Sequence, residues 1–377
     1  MKITALIDEF QEIEIDRTQL FQKIKSKTNA DALIVVTSGN FTQKGLSGAV
    51  DKYKKADILK KQGADLVLEL PVYCTLTTFD TFAFAAVSML EKLNCVNELA
   101  ILCEDVDETC MKEIVQFLFI EPKEYQEKVK LIMKNGSSFA DACKEVTEEF
   151  IPGAKHVLEK PQNIQAIEYA KAMKRMYSTM KVTFIDVGEC HKNIDASEFH
   201  KKQERSDIEE AKAFEIVLGE QIKQKLVLHT DEQNVKYLNE ISGGYAPTTK
   251  QIMDVYHEQT EADNTFFERL ADAVTNQNHP REELRRYLLK VLIGVRHVEI
   301  TICGLYSYAL YVRALGDNQE NDVYELIKKH SWIPVLSECD EEEAKKNIEL
   351  PEMDDSRKML LELDWKAQEL YDIMGEN

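Results

Sequence analysis

The sequence predicts an α/β fold in which a parallel β-sheet is followed by a mostly helical C-terminal domain. Two observations predict this class. In the first half, short apolar runs alternate with amphipathic stretches at the rhythm of βαβ units, whose strands lie parallel in one sheet. Beyond about Ser197 the pattern is almost entirely helical, including the long apolar stretch 284–316. The expected domains are an α/β domain at 1–196 and a helical domain at 197–377.

Each element follows from its own residue pattern. Near-continuous apolar runs that end in small residues or proline are typical of strands buried on both faces, and apolar residues three or four apart are typical of amphipathic helices. The predicted strands read KITALI, DALIVVTSG, ADLVLELP, NELAILC and KVTFIDVG. The predicted helices are 18–27, 49–63 and 77–93, with a mostly helical segment at about 107–180.

Composition and charge restrict the classes of partner. Hydrophobic residues make up 44% of the 377 residues, enough for an ample core. The formal net charge of −20 opposes nucleic-acid binding unless one face is locally basic, because Lys and Arg normally neutralise the phosphates. With no apolar run of about 18 residues and no charged-then-apolar leader, we expect neither a membrane span nor secretion.

Cysteine usage indicates the compartment. The eight cysteines form no C-x-x-C pair. In a chain of this length they are expected to be reduced, mostly buried thiols of a cytoplasmic protein, with neither a disulfide framework nor a zinc site.

The turn after the first predicted strand is the first candidate site. In open parallel sheets, ligands bind beyond the carboxyl ends of the strands. Here the strand runs into IDEFQEIEIDRTQ, which carries five carboxylates and no glycine. The turn is therefore a carboxylate-lined active site, a site that has been lost, or a solvated loop.

The stretch from Thr37 to Leu90 carries the most specific pattern. It contains SGNFTQKG after a strand, a helix that opens on Asp51 and Lys52, and then GADLVLELP. This stretch resembles the bacterial tRNA(Met) cytidine acetate ligase family, within the HIGH-type nucleotidyltransferase-like superfamily. PQNIQAIEYAKAM resembles the P-N-N-I-L-G-I-E-Y segment of that family. The resemblance spans about residues 2–316 and implies a Rossmann-like parallel sheet of the HIGH type.

The resemblance also implies an activity. Members of the family activate acetate with ATP as acetyl-adenylate and acetylate the wobble cytidine of elongator tRNA(Met). It implies ATP and Mg²⁺ as cofactors if the chain is active, and none otherwise. It further implies nucleotide-binding roles for Ser38, Gly39, Asn40, Lys44 and Asn163. From the residues alone, TSGNFTQKG could serve backbone geometry only, and Asn163 could cap its helix.

The family's catalytic motif is replaced in this chain. In the family the first strand runs into E-Y-N-P-F-H-N-G-H, whose two histidines donate to the nucleotide phosphates. Aligned without gaps, the histidines become Glu14 and Arg17, and the glycine becomes Asp16. A carboxylate only accepts hydrogen bonds, and two like charges ~4 Å apart repel by about 4 kcal/mol at an effective dielectric near 20. These three positions are the candidate catalytic residues, and the replacements predict that phosphate binding is lost.

Carboxylates in the same turn suggest another interpretation. Hard cations prefer oxygen ligands, so a Mg²⁺ held by this turn could bridge to phosphates. Its ligands would be Asp8, Glu9, Glu14 and Asp16. The favoured interpretation is a solvated loop that no longer binds phosphate, and the third is a site for a different ligand, such as a cation.

Basic residues have also changed. Lys44 and Lys55 stand where the family has arginines, and lysine keeps the charge but lacks the bidentate fork. The segment LRRYLLK would follow phosphates in a tRNA-binding relative, but neighbouring glutamates favour a helix with solvated charges. The basic residues of this region are Arg281, Arg285, Arg286, Lys290 and Arg296.

Three functions remain open. The favoured one is a diverged family member without efficient ATP-dependent adenylation, acting as a binding or regulatory protein. The alternatives are an active ATP-dependent acetate ligase for the wobble cytidine of tRNA(Met), and an adenylyltransferase with another small substrate. The expected ligand is a nucleotide or small anion, because the net charge disfavours tRNA. No membrane partner is expected, and the oligomeric state is open.

Overall fold

Seven strands form one sheet in this computed structural model. The structure describes residues 1–10, 15–48, 50–105, 108–190, 196–244, 246–258, 265–276, 280–318, 321–338 and 353–375. The strands are β1 (Ile3–Ile7), β2 (Ala32–Ser38), β3 (Leu66–Leu70), β4 (Glu98–Cys103), β5 (Lys181–Asp186), β6 (Val312–Ala314) and β7 (Val335–Leu336).

The strand order places β1 at the centre of a parallel region. The order across the sheet is β5-β4-β1-β2-β3-β6-β7. The first five strands in the chain run parallel, β6 pairs antiparallel with β3, and β7 runs parallel to β6. Because the chain proceeds from β1 to β2 on one side and reaches β4 on the other, the order reverses beside β1.

Helices cover both faces of the sheet and form most of the C-terminal half. The helices before residue 196 are α1 (Arg17–Thr28), α2 (Lys52–Lys61), α3 (Val72–Thr75), α4 (Phe79–Lys92), α5 (Glu108–Ile120), α6 (Lys123–Lys134), α7 (Phe139–Phe150), α8 (Ala154–Leu158) and α9 (Pro161–Arg175). Those after it are α10 (Ala196–Val227), α11 (Asp231–Glu240), α12 (Ala246–His257), α13 (Phe266–Val274), α14 (Arg281–Ile293), α15 (His297–Leu305), α16 (Asp322–His330) and α17 (Asp355–Gly375). The predicted α/β sheet followed by a helical region is confirmed.

The core lies on the two faces of the sheet because successive strand residues point to opposite sides. In β1, Ala5 packs into the larger cluster with α4 and α9. Leu6 packs into the smaller cluster with α1 and α2. Every residue of β1 to β4 is buried, which explains their near-continuous apolar sequences.

One expectation about the C-terminal half is wrong. The stretch 284–316 was expected to be helical, but Val312–Ala314 within it is strand β6. Its register places Arg313 opposite Glu69 and Ala314 opposite Leu68. Pairing with β3 thus decides the conformation of a segment whose local pattern favours helix. The division into domains at residue 196 stays a prediction, and two strands from the C-terminal half complete the sheet.

Two further sequence expectations can be compared with the described residues. None of the helices there has the length and apolar character needed to cross a membrane. The described cysteines are buried or half-buried, and no disulfide joins them.

Candidate functional site

The candidate site lies at the carboxyl edge of the sheet, beside β1. A reversal of strand order leaves a crevice at this edge, which is where open α/β sheets bind ligands. The turn after β1 supplies Asp8 and Glu9, and the loop after β2 supplies Gly39 and Asn40. Glu14 lies outside the described residues. The other predicted residues of the turn after β1 and of the loop after β2 lie at this carboxyl edge of the sheet.

Arg17 is buried in an ion pair with Asp8. It is the first residue of α1, and its side chain is 2% exposed. Arg17 Nε donates to Asp8 Oδ2 at 2.7 Å, and a second guanidinium nitrogen donates to Oδ1 at 3.1 Å. Burial alone would raise the pKa of Asp8, but the charge and hydrogen bonds of Arg17 outweigh it, so this pKa lies below its usual value. The charge of Arg17 is thus already neutralised within the protein.

Phe10 holds this pair in place. Its backbone has φ of +60°, a left-handed conformation that is uncommon for a bulky residue. The Phe10 N–H donates to Asp8 Oδ1 at 2.8 Å, and the Arg17 guanidinium carbon lies 4.4 Å from the centre of the Phe10 ring. The turn is therefore built around the ion pair, with a cation–π contact on one side.

Asp16 caps helix α1. Its carboxylate accepts from the backbone N–H groups of Thr18 at 3.0 Å and Gln19 at 3.2 Å. A helix N-terminus attracts phosphate because its first amides lack acceptors and carry the positive end of the dipole. Here the protein's own carboxylate takes that role. The Asp16 carboxylate therefore occupies the amides that a phosphate at this helix end would need.

The loop after β2 packs tightly against the turn and against β3. The Gln43 N–H donates to Glu9 Oε1 at 2.8 Å. Burial raises the pKa of Glu9 despite this hydrogen bond and nearby lysines. A Cβ on Gly39 would lie 2.2 Å from Glu69 Oε1. Glycine at position 39 is therefore required by packing within the protein.

Gly39→Ala is expected to destabilise the fold by about 1–3 kcal/mol, because the added methyl must displace the buried Glu69 carboxylate. Urea denaturation measures this change. Gly304→Ala is the matched control: it lies in α15, the nearest atom to its added Cβ is 3.7 Å away, and no loss of stability is expected. Equal unfolding free energies for Gly39→Ala and the wild type would contradict this packing.

Lys55 is buried behind the loop. Its Nζ donates to the carbonyl oxygens of Ser38 at 2.6 Å and Gly39 at 2.9 Å. Burial lowers the pKa of Lys55 to about 8, with the charges of Glu9, Glu69 and Asp8 opposing the shift. The Lys55 side chain thus fixes the backbone at the end of β2.

A buried charge network next to this loop was not predicted from the sequence. Glu69 lies 3.2 Å from Lys52 Nζ and 2.5 Å from an Arg313 guanidinium nitrogen. Arg313 also lies 3.8 Å from Asp364 Oδ2, which accepts from the Tyr311 hydroxyl at 2.6 Å. The pairing of β6 with β3 and the packing of α17 against them bring these residues together, so local sequence patterns could not show the network.

Helix α17 covers the loop. Asn40 Nδ2 donates to Gln368 Oε1 at 2.7 Å, and Asn40 Oδ1 accepts from the Lys52 N–H at 2.8 Å. The cavity that remains between this loop, Glu69 and α17 measures about 10 Å³. That volume accommodates about one water molecule. The amide of Asn40, a predicted nucleotide ligand, is thus occupied by protein groups.

Asn163 is likewise occupied. It is fully buried and does not cap α9, whose N-cap residue is Lys160. Asn163 Nδ2 donates to the carbonyl oxygen of Glu104 at 2.9 Å, and its Oδ1 accepts from the Glu104 N–H at 2.8 Å. It therefore fixes the chain just after β4. Of the other predicted ligands, Ser38 is buried and Lys44 is exposed.

Three basic residues of α14, Arg285, Arg286 and Lys290, are buried, which corrects the expectation of solvated charges for them. The side chain of Arg281, at the start of the helix, is 38% exposed. Arg285 is 7% exposed and pairs with Glu215 at 2.8 Å. Arg286 is 8% exposed and donates to the Gln43 carbonyl oxygen at 3.2 Å. These cations support the loop after β2 because α14 packs directly beneath it. They do not form an exposed phosphate-binding face.

A metal site was also considered at the turn. Within the described ranges, no group of three or more His, Cys, Asp or Glu side chains is placed to hold a metal ion. Asp8 is paired with Arg17, and Asp16 caps α1. Since Glu14 lies outside the described residues, the magnesium hypothesis stays a prediction.

Comparison with known proteins extends over the entire chain. Residues 1–377 match the family model described as HIGH Nucleotidyl Transferase. The tRNA(Met) cytidine acetate ligase of Clostridium kluyveri is 26% identical over 406 aligned positions, which cover 100% of this chain and 96% of the relative. The ligase of the same name from Clostridium perfringens is 27% identical over 405 positions, with 100% and 96% covered.

Solved structures show the same fold. Apo Thermotoga maritima TmcAL superposes with a TM-score of 0.78 at 20% identity, covering 99% of this chain and 95% of that one. TmcAL bound with alpha-thio ATP gives 0.77 at 19% identity, with the same coverage. The chain belongs to the HIGH nucleotidyltransferase family, within which its curated relatives are tRNA(Met) cytidine acetate ligases.

Proposed function

We propose that this chain is a member of the family that has lost efficient adenylation with ATP and acts as a binding or regulatory protein. The activity proposed to be lost is the one for which its relatives, the tRNA(Met) cytidine acetate ligases, are named. The observation that carries the proposal is the state of the α1 N-terminus. There the Asp16 carboxylate accepts hydrogen bonds from backbone amides of the first turn, and Asp8 forms an ion pair with Arg17.

The chemistry of adenylation explains why this state matters. Negative charge develops around the α-phosphate during the reaction, and preorganised donors must face it. The carboxylate of Asp16 can only accept hydrogen bonds and repels the phosphate. Arg17 could serve only after leaving Asp8, which would strand a buried carboxylate.

The remaining groups at the site also fit ATP and Mg²⁺ poorly. Lys55 is committed to two carbonyl oxygens, and Asn40 is bonded to α17. Lys44 is the exposed cation of the loop after β2 in the described part of the chain. One exposed lysine supplies charge without the geometry that three phosphates need. We therefore assign no reaction step to ATP in this chain.

Titration calorimetry tests the proposal. ATP with Mg²⁺ is expected to give no saturable heat and no thermal shift with this protein. Thermotoga maritima TmcAL, whose structure contains alpha-thio ATP, is the positive control. Saturable ATP binding with a micromolar Kd would contradict the proposal.

Two other outcomes would each identify an alternative. If ATP bound only with Mg²⁺ and Glu14→Ala abolished the binding, carboxylate-held metal would replace the lost donors. If ATP bound and acetate left its affinity unchanged while another small acid altered it, an adenylyltransferase with a different substrate would follow. An active tRNA ligase would in addition need acetyl transfer to tRNA(Met).

A further inference from the structure

Helix α15 has an apolar face that the described part of the chain leaves exposed. Val298, Ile302 and Leu305 are four and three residues apart, a spacing that places them on one side of a helix. Their exposed fractions are 58%, 40% and 79%. Tyr306, which follows the helix, is 62% exposed. The opposite side of α15 lies in the core, where Cys303 is fully buried. The helix thus has one apolar side in the core and a second in solvent.

The exposed side of α15 carries no acidic residue, although the chain has a formal net charge of −20. The only acid among the nine residues of the helix is Glu299, and the helix contains no Lys or Arg. Glu299 is 8% exposed, and its Oε2 accepts from the Arg296 N–H at 2.8 Å. Surface helices normally turn charged residues to solvent and bury their apolar stripe. A continuous apolar face without charge is therefore typical of an interaction surface.

Side chains of α4 hold the end of α15 in place. Lys92 Nζ donates to the carbonyl oxygens of Tyr306 and Ala309, each at 2.6 Å. Ser88 Oγ donates to the carbonyl oxygen of Ser307 at 2.6 Å. Ser307 has a left-handed backbone, with φ of +55°. These bonds fix the apolar face before a partner arrives, which lowers the entropic cost of association.

Trp332 adds an exposed aromatic residue next to this end of α15. It is 69% exposed, and its backbone N–H donates to the Lys92 carbonyl oxygen at 2.8 Å. Lys92 therefore contacts both the segment that carries Tyr306 and the segment that carries Trp332. Trp and Tyr are enriched at protein interfaces, where they supply much of the binding energy.

The area of this face is sufficient for a dimer. We define the α15 face as Val298, Ile302, Leu305, Tyr306 and Trp332. At their exposed fractions, these five residues present roughly 600 Å² to solvent. Two such faces in contact would bury roughly 1,200 Å², which reaches the lower end of the range for specific interfaces.

We propose that the α15 face joins two copies of this chain in a two-fold symmetric homodimer. In such an interface the same patch of both copies meets, so the patch must be complementary to itself. An uncharged apolar helix face meets this condition. Antiparallel packing of the two α15 helices also places the positive end of each helix dipole beside the negative end of the other. A net charge of −20 disfavours an anionic membrane as the partner. The dimer stands whether or not ATP binds at the turn after β1.

Sedimentation velocity of the full chain over a range of micromolar concentrations tests the dimer. The expected mass of the wild type is twice the 43.3 kDa of one chain. Leu305→Glu places a carboxylate from each copy in the interface and should give the mass of one chain. Trp332→Ala should weaken the dimer more than about tenfold. Leu131→Glu is the matched control, because Leu131 is 62% exposed on α6, and this variant should stay dimeric.

Salt provides a second measurement of the same interface. Raising the NaCl concentration should strengthen the dimer, because an apolar contact persists while the repulsion between two chains of −20 is screened. The proposal is overturned if the wild type is monomeric at every concentration, if Leu305→Glu is as dimeric as Leu131→Glu, or if high salt dissociates the dimer. A monomer that floats with phosphatidylcholine vesicles would assign the face to a membrane and would also overturn it.

Discussion

Replacing Arg17 with methionine is expected to lower the free energy of unfolding by about 3–5 kcal/mol. The substitution leaves the carboxylate of Asp8, which is 10% exposed, without its partner. It also removes the cation–π contact that supports the left-handed backbone of Phe10. A residue that had only replaced a phosphate-binding histidine would be dispensable for folding. Urea denaturation at pH 7 measures the difference.

Controls separate the ion pair from a general effect of losing an arginine. Arg175→Met, at the exposed end of α9, is expected to change stability by no more than about 0.5 kcal/mol. Adding Asp8→Asn to Arg17→Met should recover part of the loss, since the uncompensated charge is gone. A loss below about 1 kcal/mol in Arg17→Met would contradict a buried structural pair.

The pH dependence of this pair has a definite sign. Because the folded-state pKa of Asp8 lies below its usual value, the pair stabilises the fold above the unfolded-state pKa of about 4. That contribution is lost as the pH falls through the folded-state value. The stability difference between wild type and Arg17→Met should therefore shrink in acid.

Arg313→Met is expected to destabilise the protein at least as strongly, by about 3–5 kcal/mol. Arg313 is 2% exposed and lies between Glu69 and Asp364, so its loss leaves two buried carboxylates facing each other. The charge of Arg313 acts to lower the pKa of both groups, although burial keeps that of Asp364 above its usual value. Without Arg313, Glu69 keeps only Lys52 as a partner, Asp364 loses the cation beside it, and the Glu69–Arg313 contact between β3 and β6 is lost.

Urea denaturation with Arg357→Met as the matched control measures this second effect. Arg357 pairs with Asp354 three residues away, its Nε donates to the Leu310 carbonyl oxygen at 3.1 Å, and its side chain is 29% exposed. A loss of about 1 kcal/mol is therefore expected for this variant. Glu69→Gln added to Arg313→Met should restore stability in part. If Arg313→Met and Arg357→Met unfolded at the same urea concentration, the buried charge network would not contribute to the stability of the fold.

The sheet could be predicted because its strands are buried on both faces. Apolar runs such as DALIVVTSG leave little choice of conformation, and the intervening helices are amphipathic. Strand β6 could not be predicted in this way. Its three residues sit in a long apolar stretch, and only the opposite partner Glu69 distinguishes a strand there from a helix.

The location of the candidate site stays a prediction, and the contacts of its residues could be seen only in the fold. A carboxylate at position 16, where the family pattern has glycine, could be predicted from the sequence by resemblance, whereas its use as a helix cap could not. The sequence favours solvated charges for the arginines of α14, and it leaves Asn163 as either a nucleotide ligand or a helix cap. Their burial depends on β4 and on the loop after β2, which are distant in the chain. Long-range contacts of this kind leave no local pattern.

The exchange of labelled pyrophosphate into ATP, with acetate and Mg²⁺ present, tests the central claim most directly. Acetate activation as an adenylate is reversible and produces this exchange. The tRNA(Met) cytidine acetate ligase of Clostridium kluyveri, assayed in parallel, provides the reference rate. The expected result for this chain is a rate equal to the background without protein. Acetate-dependent exchange at a rate comparable to the ligase would contradict the loss of adenylation.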